Sequence, residues 1–234
     1  MFSNRRLLRG AVVCFGATGF LLASMIAARA QSSREKSAAS YLTRGSESHE
    51  RGDFDRAIAD FGIAITFNPR YAMAYHLRGR AHLSKGDAGA ALADFNRAIE
   101  LDPRYARAYY NRAFVRIRRC DYKGAVADCD RAIEIDKKYA AAYNNRGFAR
   151  IAMNDQAGAL SDFERAIKLD LRYAEAYANR GLLRLRMGRK AEADADFARS
   201  IALKPAIKES LEERVKILQA NNSSYTKGDC NHND

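Results

Sequence analysis

Four histidines and four cysteines are the side chains with which this chain could bind a metal or act as nucleophile and base. His76 and His82 stand six residues apart, so on a helix they do not meet as residues three or four apart do. His49 and His232 lie elsewhere, and no Ser-His-Asp arrangement, carboxylate pair, glycine-rich phosphate loop or metal-ligand spacing accompanies any of them. Cys14 sits in an apolar N-terminal stretch, which leaves Cys120, Cys129 and Cys230, an odd number for a disulfide framework and a spacing that fits no zinc site. No enzymatic activity, cofactor or metal is expected.

Charged residues recur with far more order. Arg44, Arg78, Arg112, Arg146 and Arg180 are each 34 residues apart, and so are Asp60, Asp94, Asp128, Asp162 and Asp196. Four residues beyond each arginine of the first row stand Ser48, His82, Arg116, Arg150 and Arg184. An arginine near a packed interface needs a carboxylate, because a desolvated charge is costly unless paired. The two full rows suggest a ladder of Arg–Asp ion pairs; the alternative is that both rows are merely solvated.

The elements that carry these rows share the period. Tyr41, Tyr75, Tyr109, Tyr143 and Tyr177 form one column, Ala57, Ala91, Ala125, Ala159 and Ala193 another. Phe61, Phe95, Cys129, Phe163 and Phe197 form a third, which gives Cys129 a core position. Within a copy, small and apolar residues recur at three and four, as in Ala91, Phe95, Ala98 and Ile99, a helical spacing. Gly52, Gly86, Asn154 and Gly188 suit the left-handed residue that closes a helix. Asp53, Asp87, Asp121 and Asp155 follow as N-caps, a column that Arg189 breaks in the last copy. Pro69, Pro103 and Pro205 share one column after the second helix. The unit is helix, tight turn, helix, short break.

An aromatic, small, Ala, aromatic, Ala, Pro pattern at a period of 34 resembles the tetratricopeptide repeat (TPR). Tyr143-Asn144-Asn145-Arg146-Gly147 is similar to a common bacterial variety of it. The resemblance implies an all-α, right-handed α-solenoid of five helix-turn-helix repeats, at 38–71, 72–105, 106–139, 140–173 and 174–207. Residues 208–219, with Leu211, Val215 and Leu218 on one face, read as a capping helix, and 220–234 as a disordered tail that leaves Cys230 exposed.

What the resemblance implies about function is binding of a protein or peptide partner in a concave groove lined by the first helices. Carried over copy by copy, the groove positions are Tyr110, Phe114, Ile117, Phe148, Ile151, Leu182 and Leu185, flanked by Arg80, Arg107, Arg118 and Arg186. The same apolar residues also fit a core role against the adjacent helix. The cationic border favours an acidic ligand segment or one with an exposed C-terminus. The Lys/Asn constellation with which one TPR subclass grips a terminal carboxylate is absent: its columns hold Leu42, His76 and Tyr110, then Ser46, Arg80 and Phe114.

At the N-terminus, Arg5, Arg6 and Arg9 precede the uncharged stretch from Ala11 to Ile26, and Ala28-Arg29-Ala30 offers a small-x-small cleavage site. Residues 1–30 therefore read as a signal peptide and 31–37 as a linker, which places the protein in the periplasm or outside the cell; the alternative is an uncleaved inner-membrane anchor. Net charge is +12, and removing the four arginines of the first thirty residues, which hold no acid, leaves +8. That excess offers an alternative function, a basic surface for an anionic polymer or membrane. It is spread along the chain, without the Lys/Arg stripe of a nucleic-acid binder, so no nucleic-acid partner is expected.

Overall fold

A computed structural model describes residues 9–220, with side chains from residue 24 onward. Arg5 and Arg6 of the expected signal peptide, the Cys14 side chain, and residues 221–234 of the expected tail, with Cys230 and His232, lie outside the described residues, whereas Ala220 ends a helix. Helix α1 spans Arg9–Glu50, and helices then follow in pairs. They are α2 Phe54–Phe67, α3 Ala72–Ser84, α4 Ala88–Leu101, α5 Ala106–Arg118 and α6 Tyr122–Ile135. After these come α7 Ala140–Ala152, α8 Gln156–Leu169, α9 Ala174–Arg186 and α10 Lys190–Leu203. A 3-10 turn at Pro205–Ile207 leads into α11, Lys208–Ala220. Each helix packs on the next, giving an α-solenoid of five helix pairs and a capping helix.

The turn chemistry explains the boundaries. Asp53, Asp87, Asp121 and Asp155 each accept a hydrogen bond from the backbone N–H three residues on, whereas Arg189 gives α10 no side-chain cap. The residue before each of these caps has positive φ, and in the third repeat that residue is Cys120, with φ 61°. The segment expected as a linker, 31–37, continues α1 without a break. No glycine or proline stands between Gly19 and Gly45 to end that helix. Residues 24–36 are exposed and burial begins at Ala38, so α1 runs past the packed repeats at its start. Among the described residues no helix is long and apolar enough to cross a membrane.

Two interactions set the spacing of helices within a repeat. The first is close approach. A Cβ on Gly79 or Gly147 would lie 2.8 Å from the ring of Phe95 or Phe163, so these phenylalanines pack on bare helix backbone. The third repeat makes the opposite choice: Ala113 replaces the glycine and the smaller Cys129 replaces the ring, and the two share one buried cluster with Ala125 and Ala149. Burial raises the Cys129 thiol pKa far above its ordinary value, so this cysteine is an inert filler.

The second is the charged ladder. Arg44, Arg78, Arg112, Arg146 and Arg180 each donate two hydrogen bonds to the aspartate sixteen residues on, on the second helix of the same repeat. The Nε–Oδ2 distances are 2.8–3.0 Å, and the five aspartates are only 2–5% exposed. Each guanidinium also lies over the tyrosine ring three residues earlier, 4.5–5.6 Å from its centroid. Arg116, Arg150 and Arg184 add a second donor to Asp128, Asp162 and Asp196, at 2.7–2.9 Å. Arg146 further reaches Asp130 of the preceding repeat at 2.6 Å. Burial alone would lower the pKa of Arg146, but its bonds to Asp162 and Asp130 outweigh burial and raise it.

Both interactions can be tested by substitution. Cys129→Phe alone should overpack the third repeat and cost about 1–3 kcal/mol, and Ala113→Gly/Cys129→Phe should recover most of that in chemical denaturation. A double variant no more stable than the single one contradicts the size exchange. Asp128→Ala strands two arginines and should cost about 3–5 kcal/mol. Glu164→Ala, at an exposed site, should stay within about 0.5 kcal/mol; equal losses in the two melting curves would reduce the ladder to surface decoration.

Candidate functional site

First helices of successive repeats also touch one another, α5 with α7 and α7 with α9, and so form a continuous inner wall. That wall encloses a cavity of about 810 Å³. Tyr110, Phe114 and Ile117 of α5 and Phe148 of α7 supply its apolar surface, and Phe114 is 37% exposed. The far end is closed by Ile207 and by Arg214 and Ile217 of the capping helix.

Polar side chains tie the wall together from one first helix to the next. Asn111 and His76 are joined through Nδ2 and Nε2 at 2.8 Å. Asn179 donates to Asn144 Oδ1 at 3.0 Å, and Arg214 donates to Asn179 Oδ1 at 3.1 Å. All three bonds connect residues 35 apart, one repeat and one position onward. Asn145 lies in the same row and also lines the cavity. It is 8% exposed, and among the described residues its Nδ2 has no hydrogen-bond partner of good geometry. The amide sits near enough to Tyr110 to favour that phenol's ionised form, but burial dominates and raises the Tyr110 pKa. A buried amide donor left unpaired costs about 1–3 kcal/mol until something accepts from it.

The structure divides the residues read from the sequence into three groups. Tyr110, Phe114, Ile117 and Phe148 come together in the cavity. Ile151 and Leu182 are core residues, 5% and 2% exposed: Ile151 packs with Phe163 and Leu183, and Leu182 is covered by Leu211 of the capping helix. Leu185 is half-buried and does not line the cavity, nor do Arg80, Arg107, Arg118 and Arg186. The sequence reading missed the asparagines, although Asn111, Asn145 and Asn179 are 34 apart and therefore marked by the period itself. It also missed Ile207, the last residue of the fifth repeat, and Arg214 and Ile217 of the capping helix, although Arg214 stands 34 residues after Arg180 and continues the arginine row.

The histidines go separate ways. His82 Nε2 approaches Asp94 at 4.0 Å in the ladder. His76 is buried on the inner wall, with Nδ1 3.0 Å from the Tyr105 hydroxyl and its ring beside Phe95. Burial first, then Arg80 and Arg107, lower its pKa to about 4.

Models of the repeat match the chain at three places. One described as TPR repeat matches residues 79–118, and one described as tetratricopeptide repeat matches 140–173 and 174–207. The chain is a tetratricopeptide-repeat protein. Solved TPR structures share its fold. PilF of Pseudomonas aeruginosa is 18% identical over 82% of this chain and 95% of its own, with a TM-score of 0.66. A thermophilic TPR protein of Thermus thermophilus is 21% identical over 78% and 99%, with a TM-score of 0.64. YrrB, described as a TPR protein with an unusual peptide-binding site, is 21% identical over 76% and 91%, with a TM-score of 0.59. At these identities the likeness speaks for the fold alone. No protein of curated function matches the chain.

The pKa of His76 makes a pH prediction. It is depressed in the fold from an ordinary 6.5 to about 4, so the unfolded chain binds the extra proton between those values. The stability held by neutral His76 is complete above pH 6.5 and is lost as pH falls toward 4, by up to about 3 kcal/mol. Compared with His76→Gln, the parent should lose that much more denaturation free energy over this window. Parallel pH profiles for the two chains would contradict the assignment.

Proposed function

We propose that this TPR protein is a non-enzymatic interaction scaffold or adaptor that seats a peptide or helix of a partner protein in its inner groove. The observation that carries the reading is the cavity itself. Its apolar wall of Phe114, Ile117 and Phe148 stands beside the buried, unpaired Asn145 amide. An apolar surface with one oriented polar group suits a polypeptide, whose side chains fill the cavity while a main-chain carbonyl accepts from the amide. YrrB, of the same fold, is described as having a peptide-binding site, which agrees with this use of the architecture. The N-terminal pattern from Arg5 to Ala30 supports export, so we place the partner in the cell envelope.

The test is affinity capture from envelope extract on the parent chain and on Phe114→Ala/Phe148→Ala, at low and high salt. The expected result is a protein held by the parent at high salt and absent from the double variant, with the variant still folded by circular dichroism. Salt-labile capture identical on both chains would contradict the groove and move the function to the basic surface.

A further inference from the structure

The groove is not electrically uniform along its length. Its α9 end carries both signs: Glu175, in the first turn of α9, lines the cavity and receives a 2.6 Å hydrogen bond from Lys204, and Arg214 of the capping helix stands at the same end. Two repeats earlier the same column holds Arg107, in the first turn of α5. Arg107 and Arg80 of α3 are both exposed, and among the described residues neither has a carboxylate partner. This sets them apart from the ladder arginines, all of which are paired. Both act on the same aromatic cluster, where the His76 ring lies 4.9 Å from Tyr105 and Tyr139 lies 5.1 Å from Tyr110 of the cavity wall. Burial lowers the His76 pKa and the charge of both arginines lowers it further, whereas burial raises the pKa of Tyr105 and of Tyr139 and the same two charges offset part of that rise. At this end α3, α5 and α7 begin without a side-chain cap and without an acid in the first turn, which adds the positive ends of three helices.

We infer that the occupant of the groove is an acidic amphipathic segment of a partner protein, with apolar side chains in the Phe114–Phe148 cavity and carboxylates on Arg80 and Arg107. This rests on the groove reading and adds to it a chemistry and a direction. The acidic residues face the α3–α5 end, and the apolar anchors face α7, α9 and the capping helix. An opposite charge placed on unpaired arginines steers the approach and fixes the register, while the apolar anchors supply most of the affinity. A basic or neutral segment would leave both arginines unanswered at that end, and a basic one would also meet the positive helix ends unfavourably.

The test is selection of random fifteen-residue peptides displayed on phage against the full chain, with Phe114→Ala/Phe148→Ala as the counter-target. Clones that need the two phenylalanines should carry apolar anchors and an acidic cluster to one side. The affinity of one such synthetic peptide should fall about fivefold or more on Arg80→Gln/Arg107→Gln, and by a similar factor when its own acids become Gln. Combining both changes should add nothing further. Groove-dependent clones without acidic enrichment, or acids that act independently of the two arginines, would overturn the acidic-segment proposal and leave the groove standing. Recovery only of clones indifferent to Phe114 and Phe148 would overturn the groove reading and the proposal together.

Discussion

A carboxylate almost wholly removed from water is tolerable only where cations and hydrogen bonds replace its hydration, and this solenoid repeats that arrangement five times. In each repeat an aspartate of the second helix accepts both arms of a guanidinium from the first helix, and a tyrosine ring covers the guanidinium. Paired parallel hydrogen bonds fix angle as well as distance, so the ladder sets how the two helices of a repeat face each other. Its geometry also accounts for part of the basic composition. Eight arginines serve five aspartates, so part of the positive excess is held between helices and is not displayed as a binding surface. An ion pair of this kind specifies an arrangement better than it adds net stability, and arrangement is what a stacked array needs.

Around that fixed geometry the apolar packing is adjusted copy by copy. Four repeats let a phenylalanine rest on the bare backbone of Gly45, Gly79, Gly147 or Gly181, and the third fits Ala113 against Cys129. With both helices of each repeat placed, the first helices line up and exchange the hydrogen bonds that join residues 35 apart. The cavity is what remains between them, and the capping helix completes it by covering Leu182 and supplying Ile217. The binding surface is thus a consequence of the repeat, and its individuality comes from the few side chains the repeat leaves free.

Those free positions are also where the sequence is hardest to read. The period of 34 exposes every feature that recurs through the copies: helix pairing, the aspartate caps of the first four, the arginine and aspartate rows. Features present in one copy escape it. Cys120 takes the left-handed turn position in the third repeat, where every other copy has Gly or Asn. Ile117 and Ile151 share a column, yet one lines the cavity while the other packs with Phe163 and Leu183, because neighbouring repeats bring different side chains against them. Helix α1 continues through 31–37 because the absence of a breaker outweighs a change in polarity. The unpaired Asn145 amide is a fact of three-dimensional bookkeeping that no spacing reveals.

The fold's dependence on the ladder, and with it the preformed inner groove, is open to direct measurement. A double-mutant cycle on Arg146 and Asp162, followed by chemical denaturation of the four chains, isolates the energy with which the two side chains know of each other. The expected coupling is about 2 kcal/mol or more, as for other close and desolvated charge pairs. A coupling below about 0.5 kcal/mol, the value of an exposed pair, would mean that apolar packing alone orients the helices, and would contradict the central role of the ladder.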